Sequence, residues 1–230
     1  MAKRFYKQVS VQDKSDGFAV VLDGRMLKTP GKMPLWFSDK HHANLVASEW
    51  QAQGEDILPN TMPCTRLMNV ACEQTPPRRG ELIKEFCAYT CTDLLCYRTH
   101  TPQDLVARQE QSWQPILDWA GQEHGITLTS TPGIKAVAQP QQSLQNAQKF
   151  ADNLDDTNLT LLLHFTACTG SAILALAVME KHITVDAAFT LSHLDEMYQN
   201  ERWGADDEVA QKNAVLLKEL KALAQLIKER

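Results

Sequence analysis

The sequence carries none of the short motifs that mark the common nucleotide-binding and hydrolytic enzymes. A GxxxxGKS/T phosphate loop is missing, because Gly31-Lys32 is followed by Met33 and the first position of the pattern is Met26 rather than glycine. The patterns GxGxxG, HExxH and GxSxG and the EF-hand loop are also missing. The sequence therefore gives no ground to expect ATP hydrolysis, and we expect no catalytic residue and no cofactor.

Positive charge is scarce. The chain has 23 Lys and Arg residues against 28 Asp and Glu residues, which gives a formal net charge of −5 and a pI near 5.8. Non-specific binding of nucleic acid depends on clustered Lys and Arg, so we expect no nucleic-acid partner. The acidic balance remains compatible with a protein partner that presents a basic patch.

A secretory signal is missing as well, because no apolar segment follows the basic residues at the start of the chain, Met1-Ala2-Lys3-Arg4-Phe5-Tyr6-Lys7. The sequence also has no long leader that is rich in Arg and Ser and poor in acids. We therefore expect a bacterial cytoplasmic protein. The alternative is the mitochondrial matrix, if a transit peptide has been removed.

The longest run without a charged residue covers residues 157–179. Its length would fit a bilayer, but it contains too many Thr, Asn, His, Ser and Gly residues for a lipid-facing span. We therefore predict no membrane insertion. The run predicts a buried helix, or two helices broken near Gly170, with His164 as a core histidine.

The six cysteines form no recognisable zinc pattern. Cys87 and Cys91 lie four residues apart and would share a helix face, but no histidine completes a ligand set. The chain is large and the cysteines lie in apolar stretches, so we expect buried free thiols and no metal. They are Cys64, Cys72, Cys87, Cys91, Cys96 and Cys168.

Strand and turn signals are concentrated in the first part of the chain. Residues 18–22 are β-rich, and Asp23-Gly24 is a strong hairpin signal. One helix follows, with Ser38 or Asp39 as its cap. From about Thr65 the pattern is helical. The sequence therefore predicts an α+β protein: a small β-rich N-terminal domain with one helix, residues 1–64, then a larger, all-helical C-terminal domain, residues 65–230. Besides the run at 157–179, we predict helices over 79–95, 105–123, 186–203 and 206–230.

Asp93, Tyr97 and Arg98 are polar groups close together in the chain. They allow two interpretations. They could be acid–base partners of an unrecognised enzyme, or they could form a hydrogen-bond cluster at a helix end that fixes packing. The residues alone favour the cluster.

Several short motifs follow one another along most of the chain, and together they match the pattern of a known family. Each is weak alone, but their order and spacing from residue 4 to about residue 210 make the match specific. They are Arg4-Phe5-Tyr6-Lys7, Leu22-Asp23-Gly24-Arg25 with Lys28-Thr29-Pro30, Glu49-Trp50 with Gln53, Met62-Pro63, Thr92-Asp93-Leu94-Leu95 with Tyr97-Arg98, Gln109 with Trp113 and Pro115, Gly170-Ser171 with Leu174-Ala175-Leu176-Ala177, and Glu196, Gln199, Trp203-Gly204 and Asp206. In this set the chain resembles the family of F1-ATP synthase assembly chaperones that bind the alpha subunit, which occurs in mitochondria and alpha-proteobacteria.

The resemblance implies the same two-part fold and an ATP-independent chaperone. Such a protein would bind the unassembled F1 alpha subunit, prevent its aggregation and hand it on to the beta subunit, and we expect it to be a monomer. The resemblance also implies a functional acid in the segment 194–204, which falls on Glu196. We take Asp93 and Arg98, from the motifs of the resemblance, as further candidates for partner binding.

Helical spacing places Glu196, Gln199 and Trp203 on one face. An acid beside an aromatic ring can anchor an Arg or Lys of a partner, so this face is the candidate partner-binding site. The alternative is that Trp203 lies in the core and Glu196 is a solvated helix acid.

Two other functions remain open. One is an enzyme that uses an unrecognised acid–base site in the helical domain, which would show a deep pocket with convergent titratable groups. The other is a scaffold that stays in a permanent complex. A broad, shallow surface with an acidic rim would favour the chaperone over the enzyme.

Overall fold

The structure is a computed structural model that describes residues 2–15 and 17–227. The chain forms two compact units. The first consists of Met1–Arg78 with Ala222–Arg230, and the second consists of Arg79–Lys221. The predicted α+β fold is confirmed, with small sheets first and a mostly helical region after them. The predicted domain boundary between residues 64 and 65 stays a prediction.

The sheet of the first unit is built around its longest hairpin. The central strand, β3, pairs antiparallel with β2 on one edge and with β4 and β5 on the other, while β1 and β6 form a separate two-stranded pair. The strands are β1 (Ala2–Lys3), β2 (Val9–Lys14), β3 (Gly17–Leu22), β4 (Arg25–Met26), β5 (Trp36–Phe37) and β6 (Asp56–Ile57).

The turn at Asp23-Gly24 confirms the hairpin prediction. Both residues have positive φ, 46° at Asp23 and 80° at Gly24, as the tight turns of twisted hairpins require. The Asp23 carboxylate accepts hydrogen bonds from the backbone N–H groups of Lys7 and Gln8, which ties the turn to the start of β2. These bonds hold the pKa of Asp23 below its ordinary value.

The first unit has two helices, α1 (Lys40–Gln51), which packs on the sheet, and α2 (Pro63–Glu73), which packs on α1. Asp39 caps α1 by accepting from the His41 N–H, as predicted. The Glu49 carboxylate, at the end of α1, accepts from the backbone N–H groups of Cys64 and Thr65 and so caps α2. The last described residues also belong to this unit, since His42 Nε2 lies 2.8 Å from the Leu226 carbonyl oxygen.

The second unit consists mostly of helices. The first of them, α3, begins in the first unit. The helices are α3 (Thr75–Cys91), α4 (Gln103–His124), α5 (Gln141–Asp152), α6 (Asp156–Thr169), α7 (Ala172–Met179), α8 (Val185–Ser192), α9 (Leu194–Trp203) and α10 (Asp207–Ala224). All eight residues of α7 are buried, so this helix is the centre of the core. A short parallel pair, β7 (Tyr97–Arg98) with β8 (Thr131–Pro132), makes the region mostly rather than entirely helical.

The apolar run at 157–179 forms two helices, as one of the two predictions had it. Gly170, with φ of 67°, ends α6 in the left-handed conformation that glycine adopts readily. The Ser171 hydroxyl then caps α7 by accepting from the Leu174 N–H. No helix among the described residues is long and apolar enough to cross a membrane.

Three predicted helices differ from the structure. Pro76 and Pro77 lie in the first turn of α3, where proline costs little because those N–H groups have no helical partner, so the helix begins before residue 79. The helix predicted over 186–203 is two helices, α8 and α9, separated at His193. The last helix ends at Ala224, and residues 228–230 of the predicted helix lie outside the described residues.

All six cysteines are free thiols, as expected, but the expectation that they are buried holds for Cys64 and Cys96 alone, since the other four are half-buried. Burial raises the pKa of Cys168 to about 11, and it also raises the pKa values of Cys64 and Cys96 well above that of an exposed thiol. In the described part of the chain, no three His, Cys, Asp or Glu side chains are arranged to hold a metal ion.

Trp50 packs its ring edge-on against Tyr6, with ring centroids 5.6 Å apart, and the Tyr6 hydroxyl donates to the Trp50 carbonyl oxygen. Trp50 is half-buried. We expect Trp50→Ala to lower the free energy of unfolding by about 2–3 kcal/mol, because truncating a buried ring removes its contacts and leaves a cavity. Chemical denaturation followed by circular dichroism measures this change.

The matched control for this prediction is Trp203→Ala, since Trp203 is 77% exposed. Its truncation should leave the free energy of unfolding within about 0.5 kcal/mol of the wild type. Equal effects of the two substitutions would contradict the packing role assigned to Trp50.

Candidate functional site

The end of α9 and the start of α10 form an uncovered surface. Every residue from 201 to 212 is exposed, which includes the first six residues of α10. Trp203 is 77% exposed and Val209 is 38% exposed, although both are apolar. The alternative placement of Trp203 in the core is therefore wrong. We call residues 194–213 the α9–α10 surface.

Glu196, Gln199 and Trp203 all lie on the single continuous helix α9, as their spacing predicted. Gln199 is exposed like Trp203, whereas Glu196 is half-buried. The side-chain amide of Asn213 donates from Nδ2 to Glu196 Oε1 at 2.8 Å. Glu196 is therefore a fixed carboxylate rather than a freely solvated one, and its part in partner binding stays a prediction.

Tyr198 holds the opposite face of α9 against α4. Its side chain is only 3% exposed, and its hydroxyl donates to Asp104 Oδ1 at 2.8 Å. The guanidinium carbons of Arg108 and Arg202 lie 5.2 and 4.4 Å from its ring centroid. Because Tyr198 faces α4, the face with Trp203 points away from it.

The cations close to this surface are already paired with acids. Arg202 forms an ion pair with Asp104, Arg108 with Glu201 at 2.8 Å, and Lys212 with Glu208 at 2.7 Å. The Tyr198 hydroxyl first, and Arg202 beside it, hold the pKa of Asp104 below its ordinary value, so Asp104 is ionised at neutral pH. The pairs fix the surface, and among the described residues none of the ion pairs includes Glu196.

The unit that carries the α9–α10 surface is strongly acidic. Residues 79–221 contain 11 Lys and Arg against 19 Asp and Glu, a formal net charge of −8. The whole chain has a net charge of −5, so the remaining residues have a net charge of +3. An exposed indole in acidic surroundings is complementary to a basic partner with an apolar contact.

Asp93 lies inside the fold, away from solvent, with 0% exposure. Its carboxylate accepts from Ser171 Oγ at 2.8 Å, from the Ile173 N–H at 3.0 Å and from the Leu95 N–H at 3.0 Å. These bonds join the segment after α3 to the first turn of α7. Of the two interpretations of Asp93, the hydrogen-bond cluster matches these contacts. Its predicted role in partner binding stays a prediction.

Arg98 also makes its contacts within the second unit. It donates to the carbonyl oxygens of Leu95 and Gln109, at 2.9 and 2.8 Å, and its guanidinium lies over the Trp113 ring. Burial lowers the pKa of Arg98. The Gln109 side chain in turn donates to Asp195 at 2.8 Å. Arg98 is therefore linked to α9 through Gln109, and its predicted contact with a partner stays a prediction.

Sequence reasoning missed Asp104, Tyr198 and Asn213 as parts of the site. Tyr198 could have been recognised, because it lies on the face of α9 opposite to Glu196 and so had to pack on another element. Asn213 gave no such signal, since an asparagine in a polar helix segment is ordinary.

A cleft of about 330 Å³ lies elsewhere in the second unit. None of Asp93, Arg98 and Glu196, the residues considered for an acid–base site, lines it. Burial, chiefly, raises the pKa of its Cys87 thiol, which disfavours the nucleophilic thiolate. The lining residues are Gly80, Ile83, Lys84, Cys87, Gln148 and Asp152.

The exposed α9–α10 surface makes this chain a candidate protein-binding protein. Comparison with known proteins agrees. A family model described as ATP12 chaperone protein matches residues 3–121. The chain belongs to the ATP12 chaperone family, and it is a chaperone of F1-ATPase assembly rather than an enzyme.

Solved structures and a curated relative show the same likeness. Atp12 from Paracoccus denitrificans is 38% identical, with a TM-score of 0.92, over 97% of this chain and 96% of that chain. A protein of Agrobacterium tumefaciens is 37% identical, with a TM-score of 0.94, over 98% of this chain and 85% of that chain. The mitochondrial protein atp12 of Schizosaccharomyces pombe is 25% identical over 222 residues, which cover 88% of this chain and 74% of that protein.

Burial raises the pKa of Asp93 to about 6, against four hydrogen-bond donors that lower it. In the unfolded chain the value is near 4, so between about pH 4 and pH 6 only the folded state binds this proton. The proton bound by Asp93 therefore adds to the free energy of unfolding, and this addition is greatest below pH 4 and is lost as the pH rises through 6.

We expect Asp93→Ala to destabilise the protein at pH 7 by about 2–4 kcal/mol, because it leaves buried donors unpaired. The difference in unfolding free energy between wild type and Asp93→Ala should be about 1 kcal/mol larger at pH 5 than at pH 7. Urea unfolding at the two pH values measures both. A difference that shrinks at pH 5 would show that the native carboxyl has a lowered pKa instead.

Proposed function

We propose that this chaperone binds the unassembled alpha subunit of F1-ATPase through the α9–α10 surface and prevents its aggregation without ATP. The observation that carries the proposal is Trp203, which is 77% exposed within the exposed stretch 201–212 and lies on the same helix as the fixed carboxylate of Glu196. Membership of the ATP12 chaperone family supports the alpha subunit as the partner.

An unassembled subunit of a ring needs such protection. In the assembled enzyme, alpha and beta subunits alternate and bury broad, partly apolar faces against each other. An alpha subunit alone exposes those faces, and exposed apolar patches of that size lead to aggregation. A chaperone that covers one of them must later leave, so its contact should be partly polar rather than a second hydrophobic core.

The α9–α10 surface has the extent and composition for that contact. Fourteen of its residues are exposed, a large part of the roughly 20–30 residues that each partner contributes to a standard interface. Trp203 supplies an aromatic contact of the kind that dominates binding energy, and Gln199 supplies a polar group on the same face. The acids around them would speed association with a basic partner and make it sensitive to salt.

Release of the alpha subunit to the beta subunit completes the proposal. The beta subunit needs only to bind the same face of alpha more tightly, so competition suffices and no ATP is required.

We further propose that the chaperone acts as a monomer. Its place is the bacterial cytoplasm, in keeping with its bacterial relatives, or the mitochondrial matrix if a transit peptide has been removed.

The first test is suppression of aggregation. Purified F1 alpha subunit is diluted from denaturant, with and without an equimolar amount of this protein and without ATP, and light scattering is recorded. We expect the wild type to suppress scattering. Glu196→Lys should lose most of this effect, because it reverses the charge that faces the partner. Trp203→Ala should weaken the complex by roughly tenfold or more, as truncation of an aromatic anchor does.

The matched control is Glu123→Lys, which makes the same charge change at an exposed residue near the end of α4. It lies 19 residues along α4 from Asp104, the residue that binds α9, or roughly 28 Å at the rise of an α-helix. Glu123→Lys should protect alpha as the wild type does. If the wild type forms no complex with alpha on gel filtration, the proposed function is wrong. If both charge reversals act alike, the assigned surface is wrong.

Release has its own measurement. Labelled alpha subunit is bound to the chaperone, isolated by gel filtration and then mixed with the beta subunit. We expect beta to displace the chaperone in proportion to its concentration, with no nucleotide added. A stable ternary complex that retains the chaperone would favour a permanent scaffold instead.

A further inference from the structure

The carboxylate of Glu196 is held by a neutral group. Asn213 Nδ2 donates to Glu196 Oε1 at 2.8 Å, and in the described part of the chain this is the one hydrogen bond that the structure gives the Glu196 side chain. An amide donor fixes the position of a carboxylate without cancelling its charge. The bond therefore restricts the Glu196 side chain without placing a cation against it.

Three other acids near this surface are paired with cations instead. Asp104, Glu201 and Glu208 are each paired with an Arg or Lys of the same unit. Their charges are already satisfied within the protein, so they have less to offer a cation from outside. Glu196 differs from these three acids in having an oriented carboxylate that an internal cation does not neutralise.

Asn213 is the first residue of α10 that is not exposed. Residues 201–212 are all exposed, Asn213 is half-buried, and its contact is with Glu196 on α9. The bond thus joins the two helices of the α9–α10 surface at the first half-buried residue of α10.

We propose that Asn213 is a positioning residue, which orients the ionised Glu196 carboxylate for a cationic side chain, an arginine or a lysine, of the bound partner. This inference rests on the proposed function of the α9–α10 surface. A preoriented carboxylate binds a cation more tightly because less side-chain entropy is lost when the contact forms. The second carboxylate oxygen is the acceptor that remains for the partner's N–H group.

The test is a double-mutant cycle on binding to the F1 alpha subunit. The variants are Glu196→Gln, Asn213→Leu, Asn213→Ala and Glu196→Gln combined with Asn213→Ala. Asn213→Leu keeps most of the side-chain volume and removes the donor, and Asn213→Ala serves if the larger apolar side chain disturbs folding. The control is Gln122→Ala, at an exposed residue near the end of α4 and outside the α9–α10 surface. Dissociation constants and melting temperatures are measured for each.

We expect Glu196→Gln to weaken binding about tenfold, since a charge-assisted hydrogen bond is lost. Either Asn213 substitution should weaken it by roughly fivefold at an unchanged melting temperature, and Gln122→Ala should have no effect. The double variant should bind no more weakly than Glu196→Gln alone, because Asn213 acts through Glu196. Raising the salt concentration should reduce the effect of Asn213→Ala, since the contact that it supports is between charges.

Three results would overturn the inference, and they differ from one another. If both Asn213 variants bind alpha as the wild type does while Glu196→Gln binds weakly, Asn213 does not position Glu196 and the proposed function stands. If the effects of Glu196→Gln and Asn213→Ala simply add, Asn213 acts on its own. If Glu196→Gln binds like the wild type, Glu196 is no contact and the assigned surface falls with the inference.

Discussion

The contact between Tyr198 and α4 decides which side of α9 faces solvent. A tyrosine ring placed between two guanidinium groups, with its hydroxyl bonded to Asp104, gains apolar burial, cation–π attraction and a charge-assisted hydrogen bond at one position. Since side chains about half a turn apart on a helix point in opposite directions, the packing of Tyr198 on α4 directs Glu196 and Trp203 away from α4. The rest of the proposed surface depends on it.

A chaperone surface has to satisfy two opposed requirements. It needs apolar area to bind an exposed apolar face, but an apolar patch of its own would promote self-association. Here Trp203 is surrounded by acids, in a unit with a formal net charge of −8, so copies of the chaperone repel one another while a basic partner is attracted. The same charges explain why binding should be reversible and sensitive to salt.

Local features of the fold were readable from the sequence because local chemistry determines them. The turn at Asp23-Gly24, the Asp39 cap and the break at Gly170 each follow from one or two residues. The separation of α8 from α9 at His193 was not readable, because no glycine or proline marks it. That break depends on tertiary packing, which short-range pattern cannot show.

The candidate site could be predicted only in part, and for a similar reason. The shared face of Glu196, Gln199 and Trp203 follows from helical spacing alone. The burial of Asp93 and the Asn213 bond to Glu196 bring together residues 78 and 17 positions apart, so they required the fold. Asp93 is an example. It lies in one of the motifs of the family resemblance, but its carboxylate is buried and accepts hydrogen bonds at the start of α7.

Hydrogen exchange of the backbone amides, recorded for the free chaperone and for its complex with the F1 alpha subunit, tests the central claim most directly. The account predicts slowed exchange across residues 194–213 in the complex, strongest near Trp203, with little change along the sheet of the first unit. Unchanged exchange in 194–213, with protection of another surface instead, would contradict it.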